Sequence, residues 1–129
     1  MRAAALLAGA WLVAAAWPAL AQVPGVQRTI LQRTVLEEGT REMLLVRVEI
    51  APGAAVGRHS HPGLETGLVV SGNATMLVDG DAPREMKAGD SYLIPAGRIH
   101  DARATGEAPV RVIATFVVER GKPLSTPAP

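Results

Sequence analysis

Residues 53–72 read GAAVGRHSHPGLETGLVVSG. Pro52-Gly53 and Pro62-Gly63 are turn signals, and the residues between them lack helical periodicity, so the segment around His59 and His61 is extended. Side chains two apart on an extended chain leave the same face, so the two imidazoles can converge on one point, the geometry of a bidentate metal clip. By itself a His-x-His pair is more often a surface or hydrogen-bonded feature than a ligand pair. Glu65 follows across the Pro62-Gly63 break; it either joins the same coordination sphere or is a solvated acid at a strand edge.

Outward from this stretch the chain reads as short strands. Arg28 to Leu36 and Arg41 to Ile50 alternate branched and charged residues. Gly72-Asn73, between the apolar runs Leu68 to Val70 and Thr75 to Val78, has the composition of a two-residue hairpin turn. Asp79-Gly80-Asp81 and Ala88-Gly89-Asp90 bracket a strand near Arg84 to Lys87. Ser91 to Ile94 and the long apolar run Val110 to Glu119 complete the set. Turn signals recur about every ten residues and no capped helical window appears beyond the N-terminal run, which places the protein among all-β sandwiches and barrels.

His100 follows Pro95 and Gly97 at the start of a strand near Ile99 and, read alone, is a core histidine bonded to backbone. The chain has no cysteine, so thiol chemistry is excluded and any metal site must use nitrogen and oxygen donors. Leu68, Met76, Tyr92 and Ile94 are candidates for an inward-facing pocket wall. Arg58 and Arg98 flank the histidines and read as solvated rim charges.

At the N-terminus, Met1-Arg2 is followed by an apolar run from Ala3 to Ala16 and then by Ala19-Leu20-Ala21, the order of a secretory signal peptide with a small-x-small cleavage site. The rival reading, an uncleaved anchor, suffers from the interruption at Trp17-Pro18. Residues 1–21 are therefore expected to be removed, with residues 22–120 forming a single domain and 121–129 a loose Pro-rich tail whose first residues lie on it. Of 13 basic and 12 acidic residues only Arg2 falls in the leader, which leaves 12 of each and no net charge with neutral histidines. Both tryptophans, Trp11 and Trp17, also fall there, leaving Tyr92 and Phe116 as the aromatic residues. A balanced charge and so few aromatic rings argue against nucleic acid, and nothing beyond the leader suggests a membrane partner.

Taken together, the marked positions cease to be independent. Gly53, His59, His61, Glu65 and Gly72 match the pattern G-x5-H-x-H-x3-E-x6-G at every position, and Gly89, Pro95, Gly97 and His100 match G-x5-P-x-G-x2-H, so the chain resembles the cupin superfamily. The second pattern continues after its histidine as x3-N, and this chain has Ala104 in place of that Asn, which puts in question the hydrogen bonding behind His100. All three histidines occupy ligand positions of the pattern.

The resemblance implies an antiparallel jelly-roll β-barrel that holds one divalent metal ion, Zn, Cu, Ni, Mn or Fe, through His59, His61, Glu65 and His100. It further implies a metal-dependent enzyme, oxygenase-like or isomerase-like, acting on a small oxygen-rich or carboxylated molecule in the periplasm or outside the cell. No catalytic residue beyond the ligands is assigned, although Glu65 could leave the metal and act as a base. The alternative is a binding module for a metal or small ligand, without turnover. The two differ in what they require: an enzyme needs a cavity larger than a few waters beside the metal. A homodimer in which the N-terminal strand Arg28 to Leu36 is exchanged would cover an exposed sheet edge.

Overall fold

Each alternating run becomes a strand whose parity decides which side chains go inside. The computed structural model describes residues 22–129. These form β1 (Val26–Val35), β2 (Arg41–Ile50), β3 (His59–Ser60), β4 (Gly63–Ser71), β5 (Asn73–Val78), β6 (Arg84–Lys87), β7 (Ser91–Ile94), β8 (His100–Thr105), β9 (Val110–Glu119) and β10 (Thr126–Pro127), with no helix among them. One five-stranded sheet has the order β1-β2-β9-β4-β7 and the other β10-β3-β8-β5-β6; every pairing is antiparallel. The all-β jelly-roll expectation is met. The leader expected at residues 1–21 lies outside the described residues.

Registration across the first sheet sorts its inward side chains into rows. Leu44, Phe116, Glu65 and Ile94 lie in one row, Val46, Ala114, Gly67 and Tyr92 in the next, and Val48, Val112 and Val69 in a third. Val46 and Ala114 are fully buried, and Ala74, Met76, Met86 and Ala104 of the second sheet close the core over them. Each fully buried Val, Leu or Ile contributes about 1.5–3 kcal/mol, so these rows hold a chain that has no cross-link.

Two expectations are corrected. Gly72-Asn73 does not close a hairpin: β4 pairs with β7 and β9, whereas β5 pairs with β6 and β8, so the chain crosses from one sheet to the other at this point. Gly72 has φ +81°, and a Cβ there would strike the Pro109 carbonyl and the Val110 backbone, so the corner is closed by packing on the neighbouring loop. Leu68 does not line the interior. Glu65, Gly67 and Val69 face inward, which turns Leu64, Thr66, Leu68 and Val70 outward, and Leu68 is 46% exposed.

The tail also differs from its reading as loose. Thr126 and Pro127 pair with Ser60 and His59, and Ala128 N–H donates to the Arg58 carbonyl. The backbone of β3 has an open edge on that side, and the tail satisfies it; its composition offered few apolar side chains to predict docking.

Candidate metal centre

Four buried side chains from three segments meet inside the barrel: His59 on β3, His61 just beyond it, Glu65 on β4 and His100 at the start of β8. One ligand atom from each lies within 4.8 Å of the others. His59 and His100 are direct cross-strand partners, and the Pro95–Gly97 turn of the second motif is tied to the first because Gly97 N–H donates to the His61 carbonyl at 2.9 Å. The convergence expected from the His59/His61 spacing is therefore present, and Glu65 and His100 join it.

The second nitrogen of each imidazole decides its protonation. Nδ1 of His59 faces the Gly57 carbonyl at 2.7 Å, Nδ1 of His61 faces the Leu124 carbonyl at 2.6 Å, and Nδ1 of His100 faces the Arg98 carbonyl at 3.0 Å. A carbonyl only accepts, so each Nδ1 carries the proton, and a neutral ring then presents Nε2 as a lone pair. Those three Nε2 atoms point at one another and at Glu65: His59 and His61 Nε2 are 3.1 Å apart, and Glu65 Oε2 lies 2.9 Å from His61 Nε2 and 3.2 Å from His100 Nε2. Four acceptors facing inward repel one another unless a proton or a cation sits among them. Three neutral nitrogens and one carboxylate oxygen, each backed by an outer partner, fit a divalent ion.

Glu65 is positioned by a residue that the sequence offered only as pocket wall. Tyr92 hydroxyl donates to Glu65 Oε1 at 2.7 Å, leaving Oε2 toward the histidines. Gly67 makes room: a Cβ there would collide with the Tyr92 ring. Phe116 packs edge-on against His61 with ring centroids 4.9 Å apart. Behind His59, the buried Asp101 accepts from Gly57 N–H at 2.8 Å, so the residue whose carbonyl receives His59 is itself held. Tyr92 and Asp101 could be found only by knowing which strands are neighbours.

Burial and charge pull the titrations apart. Desolvation, against the Gly57 hydrogen bond that raises it, lowers His59 to about 4, with the charges of His100 and His61 adding to the effect. Burial alone would raise Glu65, but in the absence of an ion a proton on Nε2 of His100 or His61 donates to the carboxylate, and these bonds, the charge of His61 and the Tyr92 hydroxyl outweigh burial and hold the carboxyl well below the usual range. His100 is lowered by burial and raised more by its Glu65 and Arg98 hydrogen bonds, so it ends above its ordinary value. The Tyr92 phenol is pushed well up, by burial first and by Glu65 second, and stays protonated as a donor.

Beside the cluster lies a cavity of about 60 Å³ walled chiefly by aliphatic residues, Met76 among them, together with Tyr92 and Phe116. Ile94 is buried in the core instead, next to Glu65. Arg58 and Arg98 are on the exposed rim, where Arg58 pairs with Asp79 at 2.6 Å and Arg98 with Asp81 at 3.1 Å. Ala104 is buried, its N–H bonded to the Ala54 carbonyl, so the backing of His100 comes from the Arg98 carbonyl in place of a side chain. Arg28 of β1, unremarked in the sequence, reaches the same cavity.

Comparison with known proteins agrees with this architecture. The Cupin domain family profile matches residues 46–118, more than half of the chain. Among solved structures, an uncharacterised conserved protein with a double-stranded β-helix domain from Klebsiella pneumoniae superposes with a TM-score of 0.66 at 23% identity, covering 84% of this chain and 89% of that one. A recombinant oxalate oxidase in complex with glycolate gives 0.65 at 23%, covering 85% and 58%. The DMSP lyase DddQ from Ruegeria pomeroyi gives 0.61 at 23%, covering 67% of this chain and 43% of that one. This chain thus spans less than two thirds of both enzymes, and at these identities the likeness concerns the fold alone. No curated protein matches the sequence. The family match and the shared fold, with both histidine motifs brought to one buried point, establish that the chain belongs to the cupin superfamily.

Proposed function

We propose that this chain is exported by its first 21 residues, binds one divalent metal ion through Nε2 of His59, His61 and His100 and through Glu65, and is a metal-dependent enzyme, oxygenase-like or isomerase-like, for a small oxygen-rich or carboxylated molecule. The observation that carries the reading is the uniform donation of three Nδ1 protons to backbone carbonyls, which leaves the Nε2 lone pairs of His61 and His100 facing Glu65 Oε2 and that of His59 facing His61 Nε2. A bound divalent ion supplies Lewis acidity and a coordination point for oxygen-bearing ligands. The protein's own share is to orient the four donors, to hold Glu65 by Tyr92, and to keep bulk water off with an aliphatic wall. The cavity beside the donors, about 60 Å³ or roughly two liquid waters, restricts any substrate to a very small molecule and does not exceed a few waters, so support for turnover comes from the oxidase and lyase among the neighbours of like fold.

A binding module without turnover is the second reading, favoured by one observation: among the described residues, only Tyr92 and Arg28 bring polar side chains to the wall apart from the four donors. The first experiment is metal analysis by mass spectrometry of protein recovered from the periplasm, with folded His61→Ala and His100→Ala variants. Near-stoichiometric metal in the wild type, lost in both variants, is expected; a wild type that takes no divalent ion even after reloading sinks the metal assignment. Turnover screens on the loaded protein then separate enzyme from module.

The homodimer belongs to the same proposal. Leu64, Leu68, Val70 and Leu93 stand exposed on the outer face of the first sheet, and Ile30 and Leu31 on its β1 edge, surfaces that pairing would cover. Light scattering over a wide concentration range tests it, and a monomer mass throughout refutes it.

A further inference from the structure

Among the described residues, charge enters the cavity wall at one residue apart from Glu65 and the histidines, Arg28. It lies on β1 opposite Val48, which continues the inward row through Val112 to Val69. Glu65 is two inward positions away on β4, in the Leu44–Phe116 row. Arg28 and Glu65 thus line one cavity from β1 and β4, with Val48, Val112 and Val69 along the register that connects the two strands. Arg28 is half-buried, and while burial disfavours its charge, the charge of Glu65 favours it.

We propose that Arg28 is the carboxylate-recognising residue of this pocket: it receives the acid group of a two- or three-carbon acid whose other polar end lies at the His59/His61/Glu65/His100 cluster. The assignment rests on the reading of that cluster as a metal centre. A guanidinium offers paired donors that match a carboxylate in plane, and partial burial strengthens the pairing relative to water. The volume sets the size: about 60 Å³ is well under the ~150 Å³ that admits benzene. The aliphatic wall between the charged ends disfavours a ligand polar along its whole length.

The test is calorimetric titration of zinc-loaded protein with glycolate, its neutral counterpart ethylene glycol, benzoate and inorganic phosphate, on wild type, Arg28→Gln and Arg28→Lys. Metal content and circular dichroism are measured on each. Glycolate should bind the wild type more tightly than benzoate, phosphate or ethylene glycol, weaken at least tenfold in Arg28→Gln and recover partly in Arg28→Lys, with metal content unchanged. Unaltered glycolate affinity in metal-loaded Arg28→Gln, no glycolate binding to the loaded wild type, or phosphate binding as tightly as glycolate overturns the assignment. A wild type that holds no zinc fails the metal reading separately. In that case glycolate binding lost in Arg28→Gln still supports the role of Arg28, and its absence overturns that too.

Discussion

Tyr92 hydroxyl donates to one oxygen of Glu65, Oε1, while the other, Oε2, faces His61 and His100. The carboxylate is thereby divided between an outer partner and the donor cluster, and its rotation is fixed by a residue 27 positions away in sequence.

Removing the phenol should loosen that carboxylate without opening the core. Tyr92→Phe is expected to bind metal about tenfold more weakly, the lower end of what outer partners of ligands contribute. Competition with a chromophoric chelator measures this, with unchanged circular dichroism confirming the fold. Gly67→Ala should instead cost about 1–3 kcal/mol of stability, because the added methyl meets the Tyr92 ring; urea unfolding reads that difference.

Removing the tail reaches the same cluster by another route. A chain ending at Pro123 loses the Leu124 carbonyl that receives His61 Nδ1 and the strand pairing beside His59. The ring of His61 is then free to rotate or change tautomer. Metal affinity should fall by roughly tenfold or more, while the two sheets survive, as far-ultraviolet circular dichroism would show.

Asp101 makes a prediction that separates shape from charge. Asp101→Ala leaves the Gly57 N–H without its acceptor and should destabilise by about 1–3 kcal/mol. Asp101→Asn keeps an acceptor oxygen and should retain most of that stability. Denaturant midpoints of both variants check the ordering, and equal losses would show that the hydrogen bond is not what matters.

Stability of the metal-free protein should peak near pH 6.5. His100 is raised, so its contribution is fully present below the unfolded value of 6.5 and is lost as pH climbs through its folded value. His59 is lowered to about 4, so between pH 6.5 and 4 the unfolded chain takes up a proton that the folded chain refuses. That limb should remove about 2 kcal/mol after allowance for solvent screening. The Glu65 contribution persists through this window, being present above 4.5 and lost only as pH falls through its depressed value. Urea midpoints measured from pH 4 to 9 without metal would trace the curve. Metal release on acidification should begin with His100 and steepen near pH 4 as His59 joins.

The sequence by itself determined the class of fold and the identity of the four donors. Alternation over Arg41–Ile50 and the apolar run Val110–Glu119, bounded by turn signals, are local properties, because side chains two apart share a face whatever the rest of the chain does. The same rule put His59 and His61 on one side, and the spacing from Gly53 to His100 carried the likeness that added Glu65 and His100. Local reasoning failed where the partner lies far along the chain. Leu68 was misplaced because facing within its run is set by where Glu65 enters the core, and Gly72-Asn73 looked like a hairpin turn because composition does not say whether the flanking strands share a sheet. The Tyr92–Glu65 bond, the Asp101–Gly57 support, the Leu124 carbonyl at His61 and Arg28 at the cavity were decided by tertiary structure alone. Each depends on register between strands or on a docked tail, and register is fixed by the packing of two opposed sheets, which no short window of sequence contains.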